Sequence, residues 1–457
     1  MKYTHARIIF LFLFLFIFKN ICSQEMIADV TMRQSGKGKA FGEMLYEKRK
    51  KEFKFAFTGQ VEYQSAYDMR QIIGASEDAV VIYPAPQNID DAGIDIYSKD
   101  QFSMIGVNAS GKTLFVGPDM WGGKLVGRFE WGFGGLGRSG TVELMNIKNA
   151  YISLLWRNTE VRFGHYFHPI ALTTTYVTTV GPGQGLGFDP NRKAPMVRII
   201  HVVRDKFKIL MAAAKIFNSE EARWAVLPDL HLQLDFRYSA DYLYGAGIDY
   251  HVEVPRIKTD LNYKTEESVG SIVAFLFARI VPRPFLIKTR LSYVENGKTF
   301  GIMGTYGVRH RNPVTDERLY TPMRAITYWT DIVYLGNKKF EPGLFVGLAK
   351  GLGASRRIVK SYIKEPEEGS DEEPEEVSLI NIGDGLTNAA YMFNISPRLR
   401  MRYKNLILGF EIEYFRALFA RDFEMDGWQK DFNCYGKVIN GRPTSNVRVL
   451  FSSSYTF

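Results

Sequence analysis

From about residue 53 to the end, apolar residues alternate with polar or small ones in runs separated by turn residues. In DLHLQLDFRYS (229–239), Leu230, Leu232, Leu234, Phe236 and Tyr238 share one parity, and His231, Gln233, Asp235 and Arg237 share the other. Successive side chains of a strand face opposite sides, so this run predicts a strand with one apolar and one polar face. The same pattern marks FKFAFTGQVEY (53–63), GGKLVGRFEWGFGG (122–135), VELMNIKNAYISLLW (142–156), TEVRFGHYF (159–167), PMVRIIHVVR (195–204) and YLYGAGIDYHVEV (242–254). It continues in SIVAFLFARIV (271–281), FLIKTRLSYV (285–294), KTFGIMGTYGVRH (298–310), AITYWTDIVYLG (325–336) and GLFVGLAKGLG (343–353). LTNAAYMFNI (386–395), ILGFEIEYFRALF (407–419) and NVRVLFSSSYTF (446–457) complete the series. Strands of soluble proteins average about 5–6 residues, whereas a tilted membrane-spanning strand needs about 9–11. These runs have the second length.

The connectors agree. WRNTE (156–160) and VENGKT (294–299) read as tight turns, with Asn or Asn-Gly at the bend. Longer polar connectors are expected near 68–100, 168–195, 311–323, 354–385 and 420–445. Short turns at one end and long loops at the other are the asymmetry of an outer-membrane barrel. The predicted fold is all-β: a transmembrane antiparallel up-and-down barrel of about 16 strands, with 18 also admitted, over residues 53–457. Closure follows from the solvent, since an open sheet edge in hydrocarbon would leave amides unpaired.

The two ends of the sequence fit export. Lys2 and Arg7 precede the apolar run Ile8–Phe18, and a polar KNICSQ follows. This is the layout of a signal peptide over 1–23, with cleavage near Ser23–Gln24. Residues 24–52, with KGK and EKRKK clusters, read as a polar periplasmic lead-in. In the final run, Val447, Val449, Phe451, Tyr455 and Phe457 share one face, while Arg448, Ser452, Ser454 and Thr456 share the other. This ending resembles the terminal strand of Gram-negative outer-membrane proteins. The resemblance implies that Phe451, Tyr455 and Phe457 form a signal for the barrel-assembly machinery.

Composition narrows the partners. The formal charge of the 457-residue chain is +9, and removing Lys2, Arg7 and Lys19 with the leader lowers it to +6. Cleavage would also remove Cys22 and leave Cys434, so no internal disulfide framework is expected. KEPEEGSDEEPEEVS (364–378) carries eight acidic residues and reads as a solvated outer loop. The barrel itself is therefore more basic than the net charge suggests. Export places that charge outside the cytoplasm, so nucleic acid is not an expected partner. Outer-membrane lipid, lipopolysaccharide and small solutes are, and a homotrimer is an assembly this class admits.

About 16 strands enclose water unless something fills them. The candidate is HPIALTTTYVTTVGPGQGLGFDPNRKAP (168–195), Thr- and Gly-rich, with Tyr176, Gly183 and Asp189 as its marked residues. The stretch NAYISLLWRNTEVRFGHYFHPI (149–170) resembles the strand–turn–strand–loop unit of DcaP-like and phosphate-selective-type porins. That resemblance implies a Pro-containing constriction loop entering the lumen. By alternation Arg162 shares a face with Glu160 and Tyr166, and Arg198 and Arg204 oppose Val197, Ile199 and Val203. With Arg192, Lys193, Lys288 and Arg290, these are the candidate pore-lining, anion-selecting residues. Cations in a pore with low-dielectric walls favour anions, and Arg forks onto carboxylate or phosphate. The competing role for them is pairing with Glu160, Asp235, Glu411 and Glu413. The expected function is passive diffusion of small polar, anionic solutes. The alternative is a non-conducting barrel with a structural, adhesion or secretion-complex role. No Gly-x-Ser-x-Gly or similar constellation suggests an enzyme. No cofactor or metal is expected: His165 and His201 fall on apolar faces, and no histidine pair shows ligand spacing with an acidic partner.

Overall fold

The computed structural model describes residues 54–75, 80–133, 146–181, 185–216, 219–359, 361–364, 375–378, 389–420 and 431–457. The expected signal peptide (1–23), the lead-in (24–52), Gly183 and the middle of the acidic stretch lie outside the described residues.

The strands are β1 (Lys54–Asp68), β2 (Ile72–Ala75), β3 (Val80–Pro84), β4 (Gln101–Met120), β5 (Gly123–Phe133), β6 (Asn146–Leu155) and β7 (Thr159–Phe167). Then come β8 (Lys193–Val203), β9 (Phe207–Ala214), β10 (Asp229–Ser239), β11 (Tyr242–Glu253), β12 (Val269–Ile280), β13 (Phe285–Glu295) and β14 (Tyr306–Arg311). The last are β15 (Arg318–Tyr334), β16 (Phe340–Ala354), β17 (Ser361–Lys364), β18 (Glu375–Ser378), β19 (Ala389–Tyr403), β20 (Leu406–Phe419) and β21 (Arg442–Thr456). Sixteen of these pair antiparallel in chain order, from β1 with β4 round to β20 with β21. The ring closes where β21 returns to β1, from Gln60↔Thr456 to Asp68↔Arg448. Strand β14 pairs only with the outer part of β15, while β2–β3 and β17–β18 are small hairpins outside the ring.

Every short connector lies at the end that also carries the start of β1 and the end of β21, and the long ones lie at the other. The faces divide as the alternation predicts. Phe55, Phe57, Phe163, Leu232, Leu234, Leu276, Leu291 and Phe410 are exposed on the outside. His231, Gln233 and Asp235 are buried on the enclosed face. An apolar outer surface of this extent is stable against hydrocarbon, not water. At the short-turn end it is bordered by exposed Trp121, Tyr238, Phe285, Phe340, Tyr403, Tyr455 and Phe457, where amphipathic rings suit a membrane interface. Phe457 lies over Gly59: a Cβ there would come 2.3 Å from its ring. Reciprocal 2.9 Å hydrogen bonds between the backbones of Gly59 and Phe457 extend the closing seam.

Three expectations change. VENGKT is not a tight turn. Asn296 adopts a left-handed φ of 48°, a short 3-10 helix follows at Gly297–Phe300, and Gly301 and Gly304 are also at positive φ. The alternating run 298–310 is therefore no spanning strand, although its end forms β14. Two spanning strands did not show in the pattern. In β4, Gly106, Gly111 and Gly117 interrupt the apolar series. In β9, FKILMAAA is apolar on both faces, because its enclosed side carries Leu210, Ala212 and Ala214. Finally, the acidic stretch is flanked by paired strands, with Ser361–Lys364 bonded to Glu375–Ser378.

Candidate functional site

The segment 168–192 leaves β7 and enters β8, and its ends are held together by the His168 N–H donating to the Arg192 carbonyl at 2.9 Å. Between them it packs on the buried face of strands on the far side of the ring. Arg290 donates to the Ile170 carbonyl at 2.7 Å and pairs with Asp189 at 2.9 Å. Trp329 Nε1 also donates to Asp189, at 3.1 Å. The Thr178 N–H donates to Asp331 at 3.0 Å, and the Val180 N–H to Glu411 at 2.6 Å. Asp331 is itself gripped by Lys288, at 2.9 Å, and by Arg398. Lys288 further donates to the Tyr176 carbonyl and to Thr178. Burial pushes the Asp189 carboxyl up, against the pull of Arg290, and burial likewise raises the Tyr176 phenol.

Apolar packing completes the attachment. Val177 and Phe188 join Ile72, Val81, Tyr83, Trp329, Phe345, Met392 and Phe415 in one buried cluster. Phe188 sits on Gly347, where a Cβ would stand 2.8 Å from its ring. A second cluster joins Ile170 and Leu172 to Phe275, Phe277, Phe300 and Ile302. One side of the enclosed space is thus occupied by protein.

The opposite wall has another character. Lys112 on β4, Arg128 on β5, Lys148 on β6, Arg162 on β7, and Lys193 and Arg198 on β8 converge with Glu62, Glu130 and Glu160. Six cations there meet three carboxylates. Arg162 lies 2.7 Å from Glu160 and Arg198 3.5 Å, while Arg128 pairs with Glu130, which also accepts from Asn149 at 2.7 Å. Aromatic faces support the cations: the Arg162 guanidinium is 4.0 Å from the Tyr151 ring centroid and 4.7 Å from that of Tyr166, and Lys193 is 4.7 Å from that of Phe167. Toward the short-turn end the wall opens into a cleft of about 250 Å³ lined by Arg157, Arg198, Lys206, Lys208 and Arg237 over Ile200 and Leu210.

The residues singled out in the sequence therefore separate. Arg162, Arg198 and Lys193 come together on this wall. Arg192 is close by but donates to the Thr299 carbonyl at 3.1 Å, tying two long loops together. Lys288 and Arg290 are on the enclosed face, but beneath the 168–192 segment, with exposures of 2% and 1%. Their charge holds the segment rather than facing open space. Arg204 is exposed in the turn after β8, at a φ of 51°, because the strand ends one residue before it. Lys112, Arg128 and Lys148 were missed, although Arg128 and Lys148 lie within strands that were recognised. Phe451, Tyr455 and Phe457 all point outward, as their parity implied. His201 also keeps its outer position, where Thr159 bonds its Nδ1 at 2.9 Å. Sequence spacing shows no histidine pair with an acidic partner at ligand distance, but the β10–β11 register sets His231 opposite Asp249 and the fold brings His168 to both.

No family model and no curated protein matches the sequence. Solved structures do match the architecture. The outer membrane channel DcaP of Acinetobacter baumannii aligns with a TM-score of 0.61 at 12% identity, covering 89% of this chain and 97% of that one. An anion-selective porin from Comamonas acidovorans aligns with a TM-score of 0.54, also at 12% identity, over 89% of this chain and all of that one. With its closed ring of sixteen strands, its apolar exterior and its short turns at one end, the chain has the fold of the outer-membrane porins.

Proposed function

We propose that the protein is an outer-membrane diffusion porin whose passage runs along the basic wall of β4–β8, with the 168–192 segment folded inward as its constriction. The observation that carries this reading is the division of the enclosed face. On one side, Lys288, Arg290 and Arg398 are taken up in holding the segment, and an apolar cluster packs it against the strands. On the other, six cations stand against three carboxylates with aromatic support: Lys112, Arg128, Lys148 and Lys193 are half-buried, and Arg162 and Arg198 are buried against Glu160. In a narrow passage between low-dielectric walls such an excess raises the local concentration of anions. Small polar anions, carboxylates or phosphates among them, are the solutes that Arg and Lys at these positions would pass. The anion-selective porin named above lends the reading support by shared fold. The same exterior supports a location in the outer membrane, with lipopolysaccharide around the apolar belt as the proposed surroundings.

The test is single-channel recording of the refolded, heat-modifiable protein in a planar bilayer, with the reversal potential read under a KCl gradient. Steady conductance with anion preference is the expected result. A folded barrel that conducts nothing, or prefers cations, overturns the reading and favours a barrel that acts through partners bound at its long loops.

A further inference from the structure

Behind the 168–192 segment lies a group of side chains that the diffusion pathway does not use. His168 begins that segment. Asp229 and His231 sit two apart on the enclosed face of β10, and Asp249 and His251 sit two apart on that of β11. All five are buried, with exposures between 0 and 6%. His231 Nδ1 lies 3.1 Å from Asp249 Oδ2, and His251 Nδ1 lies 4.0 Å from Asp249 Oδ1. His168 Nε2 is 3.9 Å from Asp249 Oδ2 and 3.8 Å from Asp229 Oδ2. One ligand atom each from His168, His231 and Asp249 falls within 4.8 Å of the others.

The hydrogen bonds around the group leave four of its inner atoms without partners. Asn296 offers a carbonyl oxygen 3.3 Å from His251 Nε2, which can only accept, so Nε2 carries the proton and Nδ1 presents a bare lone pair toward Asp249. Gln233 donates its amide to Asp235 at 2.7 Å, which turns its own oxygen to His231 Nε2 at 3.4 Å. That oxygen can only accept, as can the Asp249 carboxylate that His231 Nδ1 reaches at 3.1 Å; without a cation Nδ1 donates to Asp249, and a cation bound at Nδ1 moves the proton to Nε2, where the Gln233 oxygen takes it. His168 Nε2, Asp229 Oδ2, Asp249 Oδ1 and His251 Nδ1 are each buried without a hydrogen-bond partner. The lone pair of His251 Nδ1 aimed at a carboxylate repels it unless a cation stands between them. An outer nitrogen held by a carbonyl acceptor is also how ligating histidines are oriented.

We propose that His168, His231, Asp249 and His251, with Asp229 as a further carboxylate, bind one first-row divalent transition metal of the zinc class. Mixed imidazole and carboxylate ligands suit zinc, copper, nickel or iron rather than the oxygen-seeking magnesium and calcium. With metal–ligand bonds of about 2.0–2.1 Å, tetrahedral ligand atoms stand about 3.3 Å apart, so the His168, His231 and Asp249 atoms, now within 4.8 Å of one another, draw in by up to about 1.5 Å, and His251 Nδ1 closes from 4.0 Å off Asp249. Ligation by His168 Nε2 requires the proton to sit on Nδ1, which gives up a 3.3 Å contact from the Ile170 N–H. The bound ion joins the neck of the 168–192 segment to β10 and β11, and through Asn296 to the loop after β13. It therefore fixes the segment from the side opposite Lys288 and Asp331.

The test uses the refolded full barrel, stripped with a chelator, loaded with Zn²⁺ alone and freed of excess by gel filtration. Mass spectrometry of the eluted protein should find one zinc per chain, and the temperature of heat modification should rise. His231→Ala and Asp249→Asn should abolish retention, whereas His201→Ala, at the outer short-turn position, should keep it. Gln233→Leu should weaken affinity about 10–100-fold, as loss of an orienting partner does. If Asp249→Asn does not fold, Co²⁺ loading of the unaltered protein decides through its visible absorption, which differs between imidazole-ligated and aqueous ion. A folded barrel that retains no zinc, retention indifferent to both His231→Ala and Asp249→Asn, or an aqueous Co²⁺ spectrum overturns the proposal.

Discussion

At the scale of single residues, the enclosed face sorts cations by what stands over them. Lys148 and Lys193 are half-buried on the basic wall, so their charge reaches the proposed passage. Replacing both by Glu should move the reversal potential toward cation preference and leave heat modification unchanged. The same change at Lys288 cannot report selectivity, because Lys288 is spent on Asp331 and Thr178. A second residue-scale expectation concerns the outer loops. Arg256 lies 2.7 Å from Asp316 and 2.8 Å from Glu267, and Arg311 and Arg318 also contact Asp316. Burial alone would raise the Asp316 carboxyl, but the hydrogen bonds from Arg256 and Arg311 outweigh it and hold it at about 2. A carboxyl depressed on folding contributes stability above its ordinary value near 3.8, and that contribution is lost as pH falls toward 2. Pepsin should therefore spare the 254–268 loop at about pH 4 and cut it below about pH 2, the span between the two protonation states. Asp316→Asn should be cut at both.

At the scale of elements, the 168–192 segment is the part whose sequence and structure are most tightly coupled. Its attachment needs a bare backbone under Phe188 and a charge trio under Thr178. Gly347→Leu should displace Phe188, and single-channel recordings should show larger, noisier openings. Asp331→Asn leaves Lys288 and Arg398 buried without their carboxylate. Breaking a buried pair in this way costs about 3–5 kcal/mol. The urea midpoint in detergent micelles should fall, and conductance should rise in the same variant. A variant that loses stability with unchanged conductance would mean that the segment does not limit flow.

At the scale of the whole molecule, closure depends on the last strand meeting the first. The seam pairs Gln60 with Thr456 and ends with Phe457 stacked over Gly59. Deleting Phe457 removes two backbone hydrogen bonds and the ring that covers the glycine. Refolding into lipid vesicles, followed by heat modification on gels, should be slower and less complete than for the intact chain. Gly59→Val should have a comparable effect from the other side of the seam, since its side chain would meet the Phe457 ring.

The apolar exterior was legible because it follows from parity, and an antiparallel ring of about sixteen strands because short and long connectors alternate. Each spanning strand must show hydrocarbon one face, and that demand is written residue by residue, as in 229–239. The demand relaxes where the enclosed face is itself apolar, and there β9 went unseen. Glycine interruptions hid β4 in the same way. Parity also placed Lys288 and Arg290 on the inner side, but not beneath a loop, because the loop's path depends on contacts more than 100 residues distant, such as that from Arg290 to Ile170. Nor could it give the spacing that brings Asp249 to His231, which is a property of the β10–β11 register. What the sequence determines by itself is the solvent on each side of each strand, an interaction every residue makes alone. Which cations remain open to the passage, and which histidines gather round one carboxylate, is decided only by tertiary structure, because these are properties of pairs that the chain brings together on folding.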